Sequence, residues 1–468
     1  MEALSNLLSW PRLGMIVVLY FATLAFYRLF LHPLSRFPGP KLAAISRWYE
    51  AYYDVIQNGQ YTFKIAELHK IYGPIIRISP HELHINDPAF VDQLYRQDGV
   101  WDKYDWSVDA FATQGAALLT PKHELHKARR QPLNPFFSKA NVRNRQDMID
   151  RHLGKLCDRI FAFAESHETF NFGAAITAFA RDVAFDFILG KNYGSLDKDD
   201  FDEAMVAASS GSGQENMEDT KRLVASARSP SPNENVTRNI VHEIVDSKLP
   251  TPEKTADRIF DDVATITGAG FETVAGALRV ALFHIFDNKD ILQRLRTELA
   301  TVDTHNLKAL EQLPYLKAVL MEGLRISPAL GTRMARIAPD RDLFYEQWRI
   351  PAGTPVGMTL VLLHANENLY PDPRRFNPDR WMDPSGLQEL DKTFAPFLKG
   401  SRSCLGMYLA WAEMYLLVAN LVDRYDFRYL NAQAEDFECD SDQFAIGTSG
   451  KGVLKATVSL RDGRRVFD

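Results

Sequence analysis

Cysteine is scarce in this chain: three residues in 468, Cys157, Cys404 and Cys439, too few and too odd in number for a disulfide framework. That excludes a small stapled scaffold and points to a reducing compartment or a single special thiol. An excess of positive charge is also lacking, with 54 Lys and Arg against 60 Asp and Glu and a net charge of −6. No basic field gathers phosphate backbones, so nucleic acid is excluded as an expected partner. Internal repeats are absent as well. What is present is the composition of a folded protein with a large core, 46% hydrophobic and 24% charged.

One long apolar run stands at the N-terminus. LGMIVVLYFATLAFYRLFL, Leu13 to Leu31, carries a single charge at Arg28 and spans roughly 28 Å as a helix, close to a bilayer core. Arg36, Lys41 and Arg47 follow it, whereas Glu2 and Arg12 nearly cancel ahead of it. The positive-inside rule therefore makes residues 1–12 a short lumenal N-terminus, 13–31 a transmembrane anchor, and the rest cytosolic. Arg28 is expected to snorkel to the interface. A cleaved secretory signal is the alternative, and the length of the run and the cysteine usage count against it. HPLSRFPGPKLAA, residues 32–44, is too rich in proline to continue a helix and forms a stiff hinge.

The remainder, residues 45–468, is dominated by helical periodicity, with stretches near 140–166, 173–189, 256–287, 289–303, 311–326 and 405–424. GPIIRISPHELHIND, Gly73 to Asp87, alternates like a small hairpin, and strand signals return at Leu343 to Ile350, at Pro355 to Met358 after a turn, and from Phe444 to Leu460, with GTSGKG as a hairpin tip. The fold class is mainly α with small β-sheets. Ala208 to Thr237, rich in Ser, Gly and Pro, reads as a surface loop or lid.

Two motifs mislead. HELH occurs at His81–His84 and His123–His126, but its histidines are three apart where a zinc helix needs four. GAGFET at Gly268–Thr273 lies inside a helical pattern instead of following a strand, so it is no nucleotide loop.

FAPFLKGSRSCLGMYLA, Phe394 to Ala410, is the decisive stretch. Cys404 immediately precedes a long apolar helix, where amide N–H groups and the helix dipole favour a thiolate. Gly400 and Gly406 permit a tight turn and the approach of something flat, Arg402 offers a forked cation to a carboxylate, and Phe397 covers the sulfur. The spacing F-x-x-G-x-R-x-C-x-G resembles the haem-ligand signature of the cytochrome P450 monooxygenases, and further motifs follow the family's order. Glu322 and Arg325 in EGLR share a helix face, and Arg380 in FNPDRW is the expected third member of a structural triad. Ala269-Gly270-Phe271-Glu272-Thr273 resembles the oxygen-activating motif, which implies a groove opened at Gly270 and proton delivery by Thr273 and Glu272.

The resemblance covers nearly the whole chain and is nearest to membrane-anchored fungal members of secondary metabolism, trichodiene-oxygenase-like. It implies haem b, with Cys404 as axial ligand to the iron, and Arg130, Arg336 and Arg402 as cations for the propionates. His126 stands where the family usually has a tryptophan. It further implies a substrate pocket walled by Phe111, Ala116, Thr265, Ala269, Ala329, Leu330 and Ser449, suited to a lipophilic terpenoid or polyketide intermediate. Dioxygen is the oxidant. Because the motifs use up the chain, electrons are expected from a separate NADPH-cytochrome P450 reductase, with Lys127, Arg129 and Lys399 as part of its docking face or, equally, of a plain solvated face; the expected location is the endoplasmic reticulum membrane. One departure is the short, Ser/Gly/Pro-rich region of about 195–238, where relatives carry two long helices over the pocket. A haem-binding relative with a truncated lid and impaired turnover is the alternative that this departure raises.

Overall fold

The computed structural model describes residues 10–203, 212–229, 238–383 and 390–461. The chain enters through helix α1, Trp10–Phe26, which continues as a π-helical turn, Tyr27–Leu31. Over Trp10–Leu31 the mean hydropathy is 1.9 and none of it is buried, so it is long and apolar enough to cross a membrane. The first nine residues of the expected lumenal segment lie outside the described residues. The Arg28 guanidinium donates to the Ile45 carbonyl, and Arg77 donates to the Arg28 carbonyl. The end of the apolar run is thus stitched to the domain that follows it.

The helices that position the interior are α2 (Tyr61–Tyr72), α3 (His123–Arg130), α4 (Gln146–Ser166), α5 (Phe172–Leu189), α6 (Ser212–Ala227), α7 (Ala256–Asp287), α8 (Lys289–Leu299), α9 (Pro314–Ile326) and α10 (Met407–Arg424). The 3.6-residue apolar pattern places them close to the expected ranges, because each buries one stripe against a common core. Thr255 caps α7 by accepting the Arg258 N–H, and α7 runs unbroken through Gly270. The groove expected there is not open; the Thr273 hydroxyl donates back to the Ala269 carbonyl at 2.9 Å. Part of the segment expected as a loop is helical, since α6 packs on α7 with Thr220 and Val224 buried. Residues 204–211 and 230–237 of that region lie outside the described residues.

The strands are β1 (Ile75–Arg77), β2 (Leu83–Ile85), β3 (Asp102–Lys103), β4 (Phe170–Asn171), β5 (Arg336–Ile337), β6 (Leu343–Tyr345), β7 (Trp348–Ile350), β8 (Pro355–Gly357), β9 (Tyr425–Tyr429), β10 (Cys439–Gln443), β11 (Ala445–Thr448) and β12 (Lys455–Leu460). One sheet has the order β1-β2-β8-β5-β3, another β4-β12-β9, and β6–β7 and β10–β11 are hairpins. GTSGKG is not a hairpin tip. β11 turns back on β10 through Phe444, while β12 pairs with β4 and β9. The glycine-rich stretch merely carries the chain between two sheets.

Candidate active site

The cysteine loop is built by one glycine and one helix. Gly400 has φ +76°, and a Cβ there would lie 2.4 Å from the Arg96 carbonyl oxygen, so no other residue fits the turn. The Cys404 N–H donates to the Phe397 carbonyl at 2.8 Å, which closes the loop just ahead of α10. The Cys404 side chain is accessible, although the sulfur lies deep within the protein. Both hold for a sulfur on the wall of an interior space. A Cβ on Gly406 would meet no atom within 4 Å, which places open space beside the sulfur. Burial raises the Cys404 thiol above its usual range, against the Gly406 N–H and the Arg130 charge, which pull it down. The amide and the cation expected from the sequence are present, but desolvation outweighs them in the protein alone; coordination to a metal removes the proton outright. Phe397 packs its ring 6.0 Å from Trp411, at the floor of a surface cleft of about 420 Å³ that also touches Met407 and Tyr408.

Cations converge on the same interior. Arg402 donates to the Thr120 and Pro121 carbonyls at 2.6 and 2.7 Å, and Arg130 donates to the Ser403 carbonyl at 2.7 Å. Lys103 and Arg336 are direct neighbours across β3 and β5. His126 is buried beside them, and burial together with Arg402, Arg130 and Lys103 pushes its imidazole down to about 2, so it is neutral. Burial, with Arg336, Arg402 and Arg130, holds the Lys103 ammonium well below its usual range. Two guanidinium nitrogens in this group, Arg336 Nη2 and Arg402 Nε, are buried with no hydrogen-bond partner. Stranded donors and mutual repulsion together call for a multiply charged anion. The sequence reading missed Lys103; its only local signal is a lysine between aromatics in WDKYDW.

The long helix α7 packs against α10. Ala269 and Glu272 are exposed although they lie mid-helix in the protein interior, and Thr273 is half-buried. Thr265 shares a 2.7 Å hydrogen bond with Thr113, tying the loop that carries Phe111 to α7. Ala116 is buried in a small cluster with Val108 and Leu119, against which Phe111 packs. Leu330 bridges Ala445, and the Ala329 carbonyl accepts the Ile446 N–H at 3.0 Å. Ser449 does not join them. It sits beyond the far end of β11, where its hydroxyl donates to the Glu435 carbonyl; the residue that reaches Phe111 is Phe444, with ring centroids 4.8 Å apart. The error follows from the hairpin, since a tip at 447–452 would have carried Ser449 inward.

Glu322, Arg325 and Arg380 meet. Arg325 grips the carboxylate with two bonds of 2.9 and 2.8 Å, and Arg380 Nε donates at 3.1 Å. The Asn377 N–H and the Trp381 indole add two more, both at 2.9 Å, so the fully buried Glu322 has every lone-pair direction filled. Of the expected docking cations, Arg129 is committed to a two-pronged pair with Glu253 and Lys399 to Asp92, whereas Lys127 is exposed.

Known proteins resemble this chain along most of its length. The family model for cytochrome P450 matches residues 48–217 and 214–453. Cytochrome P450 monooxygenase tpcC of Cochliobolus heterostrophus is 38% identical, over 87% of this chain and 86% of that protein. N-acetyltryptophan 6-hydroxylase ivoC of Emericella nidulans is 37% identical over 93% and 94%, and tryptophan 6-hydroxylase fscE of Fusarium equiseti 34% over 98% and 100%. The crystal structure of a cytochrome P450 (CYP102L1) superposes with a TM-score of 0.71 at 16% identity, covering 86% of this chain and 94% of that one, which is agreement in fold. The family implies a haem, a flat dianionic group, and the stranded donors here fit it: the chain belongs to the cytochrome P450 family, as a monooxygenase similar to fungal members.

Proposed function

We propose that the chain is a haem b monooxygenase that oxidises a lipophilic secondary metabolite, terpenoid or polyketide in kind, with Cys404 as axial ligand and electrons from a separate NADPH-cytochrome P450 reductase. The observation that carries the reading is the group of Lys103, Arg336 and Arg402, all buried, with Arg130 half-buried, beside Cys404, whose side chain is accessible. Haem bound there, held by the Cys404 sulfur as a thiolate, would supply reductive activation of dioxygen. Arg130, Arg336, Arg402 and Lys103 hold its two carboxylates, and neutral His126 adds an N–H donor. Gly406 leaves room for the ring beside the sulfur, and Phe397 keeps water from it. On the opposite wall, the Thr273 hydroxyl and the Glu272 carboxylate hold and pass protons. The Thr273 hydroxyl must leave the Ala269 carbonyl to do so, which is a rotation about one bond.

Phe111, Ala116, Thr265, Ala269, Ala329 and Leu330 wall the substrate site; they are apolar or small, and Thr265 supplies an orienting hydroxyl. Two relatives are named for hydroxylation of tryptophan or N-acetyltryptophan, so an indole belongs among the substrates to be offered. The Trp10–Leu31 helix anchors the chain in the endoplasmic reticulum membrane with the catalytic domain facing the cytosol.

The reduced, carbon-monoxide-bound spectrum tests the reading. The full chain should give the red-shifted band of a thiolate-ligated haem, and Cys404→Ser should lose both that band and product. A globin-like band in the wild type removes the proposal.

A further inference from the structure

Positive charge collects where the apolar N-terminal helix meets the domain, and no acid answers it. Arg77 is 3% exposed and gives its hydrogen bonds to neutral carbonyls: Nη1 to Arg28 and Nη2 to Pro80, both at 2.8 Å, and its backbone N–H to Pro38 at 2.7 Å. Its Nε is buried with no hydrogen-bond partner. Burial and the Arg28 charge pull the Arg77 guanidinium down to about 10, and no carboxylate pulls it back. Two imidazoles complete the group, His32 and His81, with ring centroids 5.4 Å apart. His32 Nδ1 accepts the Leu34 N–H at 3.1 Å, so its proton sits on Nε2, which has no partner among the described residues. Burial, Arg77, His81 and Arg28 push that imidazole down to about 4. Arg28 and His32 are half-buried and His81 is exposed, so the group opens to the outside. A stranded donor among mutually repelling cations calls for an anion.

The surroundings decide what carries the anion. The cluster lies at the C-terminal end of Trp10–Leu31, the depth at which lipid phosphates border the hydrocarbon. Beside it the surface is apolar. Phe30 and Leu31 are exposed, and so are Leu42 on Lys41–Ile45, which packs on the Tyr27–Leu31 turn, and Trp48 on the short helix that follows. A free anion has no use for that fringe; an amphiphile does. We propose that Arg28, His32, Arg77 and His81 form a site for the phosphate of an anionic phospholipid, whose acyl chains lie along Phe30, Leu31, Leu42 and Trp48. This rests on the membrane reading above. Arg28 and the two imidazoles reach the phosphate, and Arg77 supplies charge from behind them.

Fluorescently labelled short-chain phosphatidic acid, titrated into the full chain in neutral detergent and followed by anisotropy, tests the site. The wild type should bind it, unlabelled phosphatidylcholine should compete at least about tenfold less well than unlabelled phosphatidic acid, and millimolar inorganic phosphate should not displace it. Arg28→Gln should weaken binding about fivefold, the worth of one basic residue at a lipid surface, and Arg28→Lys should restore it. His81→Ala, at an exposed position that carries no part of the hinge, should weaken it in the same direction and serves if Arg28→Gln does not fold. Arg36→Gln, an exposed cation of the hinge outside the group, should bind as the wild type does. Equal competition by phosphatidylcholine, displacement by inorganic phosphate, wild-type binding by both cluster variants, or an equal loss in Arg36→Gln would each overturn the proposal. The anchor is checked separately: a wild type that fails to bind the lipid yet stays in carbonate-washed membranes sinks the site alone, whereas one released by the wash sinks the membrane reading itself.

Discussion

Lys103 holds an ammonium group in the protein interior beside Arg336, Arg402 and Arg130, and burial with those neighbours drives it well below its usual range. A charge in that position costs stability until an anion arrives. Lys103→Met should therefore stabilise the haem-free protein by roughly 1–4 kcal/mol in urea unfolding and, in the holoprotein, speed the loss of haem to a scavenger. The same sign in both measurements would refute the role assigned to Lys103. At Thr273 the expected outcome is catalytic. Thr273→Ala should cut product formation by about 10²-fold while NADPH is still consumed and hydrogen peroxide accumulates, because a proton donor is lost and the fold is not. Unchanged product would remove Thr273 from proton delivery.

Two helices carry buried acids with opposite fates. On α9, Glu322 is saturated by Arg325, Arg380, Asn377 and Trp381. Glu322→Ala leaves two guanidinium groups without their counter-charge, and should cost about 3–5 kcal/mol and abolish haem incorporation in cells. On α10, Glu413 is fully buried with neither carboxyl oxygen hydrogen-bonded, and desolvation raises its carboxyl well above the usual carboxylate range. The folded chain thus keeps a proton that the unfolded chain releases. Its contribution to stability is full below pH 4.5 and is lost as pH rises towards the folded value, so stability falls with pH over that window. Glu413→Gln should flatten that slope in denaturant titrations between pH 5 and pH 8, at roughly unchanged stability near pH 4.5. A slope that survives the substitution assigns the effect elsewhere.

For the molecule as a whole, the proposed membrane attachment is through Trp10–Leu31, whose C-terminal end is sewn to the domain by Arg28 and Arg77. Lysines at Val18 and Phe21 place charges near the middle of the span, each costing about 3 kcal/mol, and should move the protein from carbonate-washed membranes into the supernatant. Retention in the pellet would show that other surfaces hold it.

Periodicity alone was enough to draw α7 as Ala256–Asp287, because a helix must repeat its apolar stripe every 3.6 residues and Thr255 marks where it starts. The cysteine loop was equally legible: Gly400, Arg402 and Cys404 fall at every second position of one short stretch, and the left-handed turn at Gly400 is a local demand. EGLR and the more distant Arg380 were readable by resemblance to the family. Other features were decided by pairings that no local window contains. Lys103 becomes buried only because β3 lies against β5, which sets it opposite Arg336. GTSGKG has the turn chemistry of a hairpin, yet the hairpin forms at Phe444, since β12 gains more by joining β4 and β9 than by folding back on β11. The amino-acid sequence by itself thus determined the helices, the apolar one at the N-terminus among them, and the cysteine loop, whose causes are local; the tertiary structure decided which charges are desolvated and which aromatic ring faces Phe111, because desolvation and register depend on residues hundreds of positions apart.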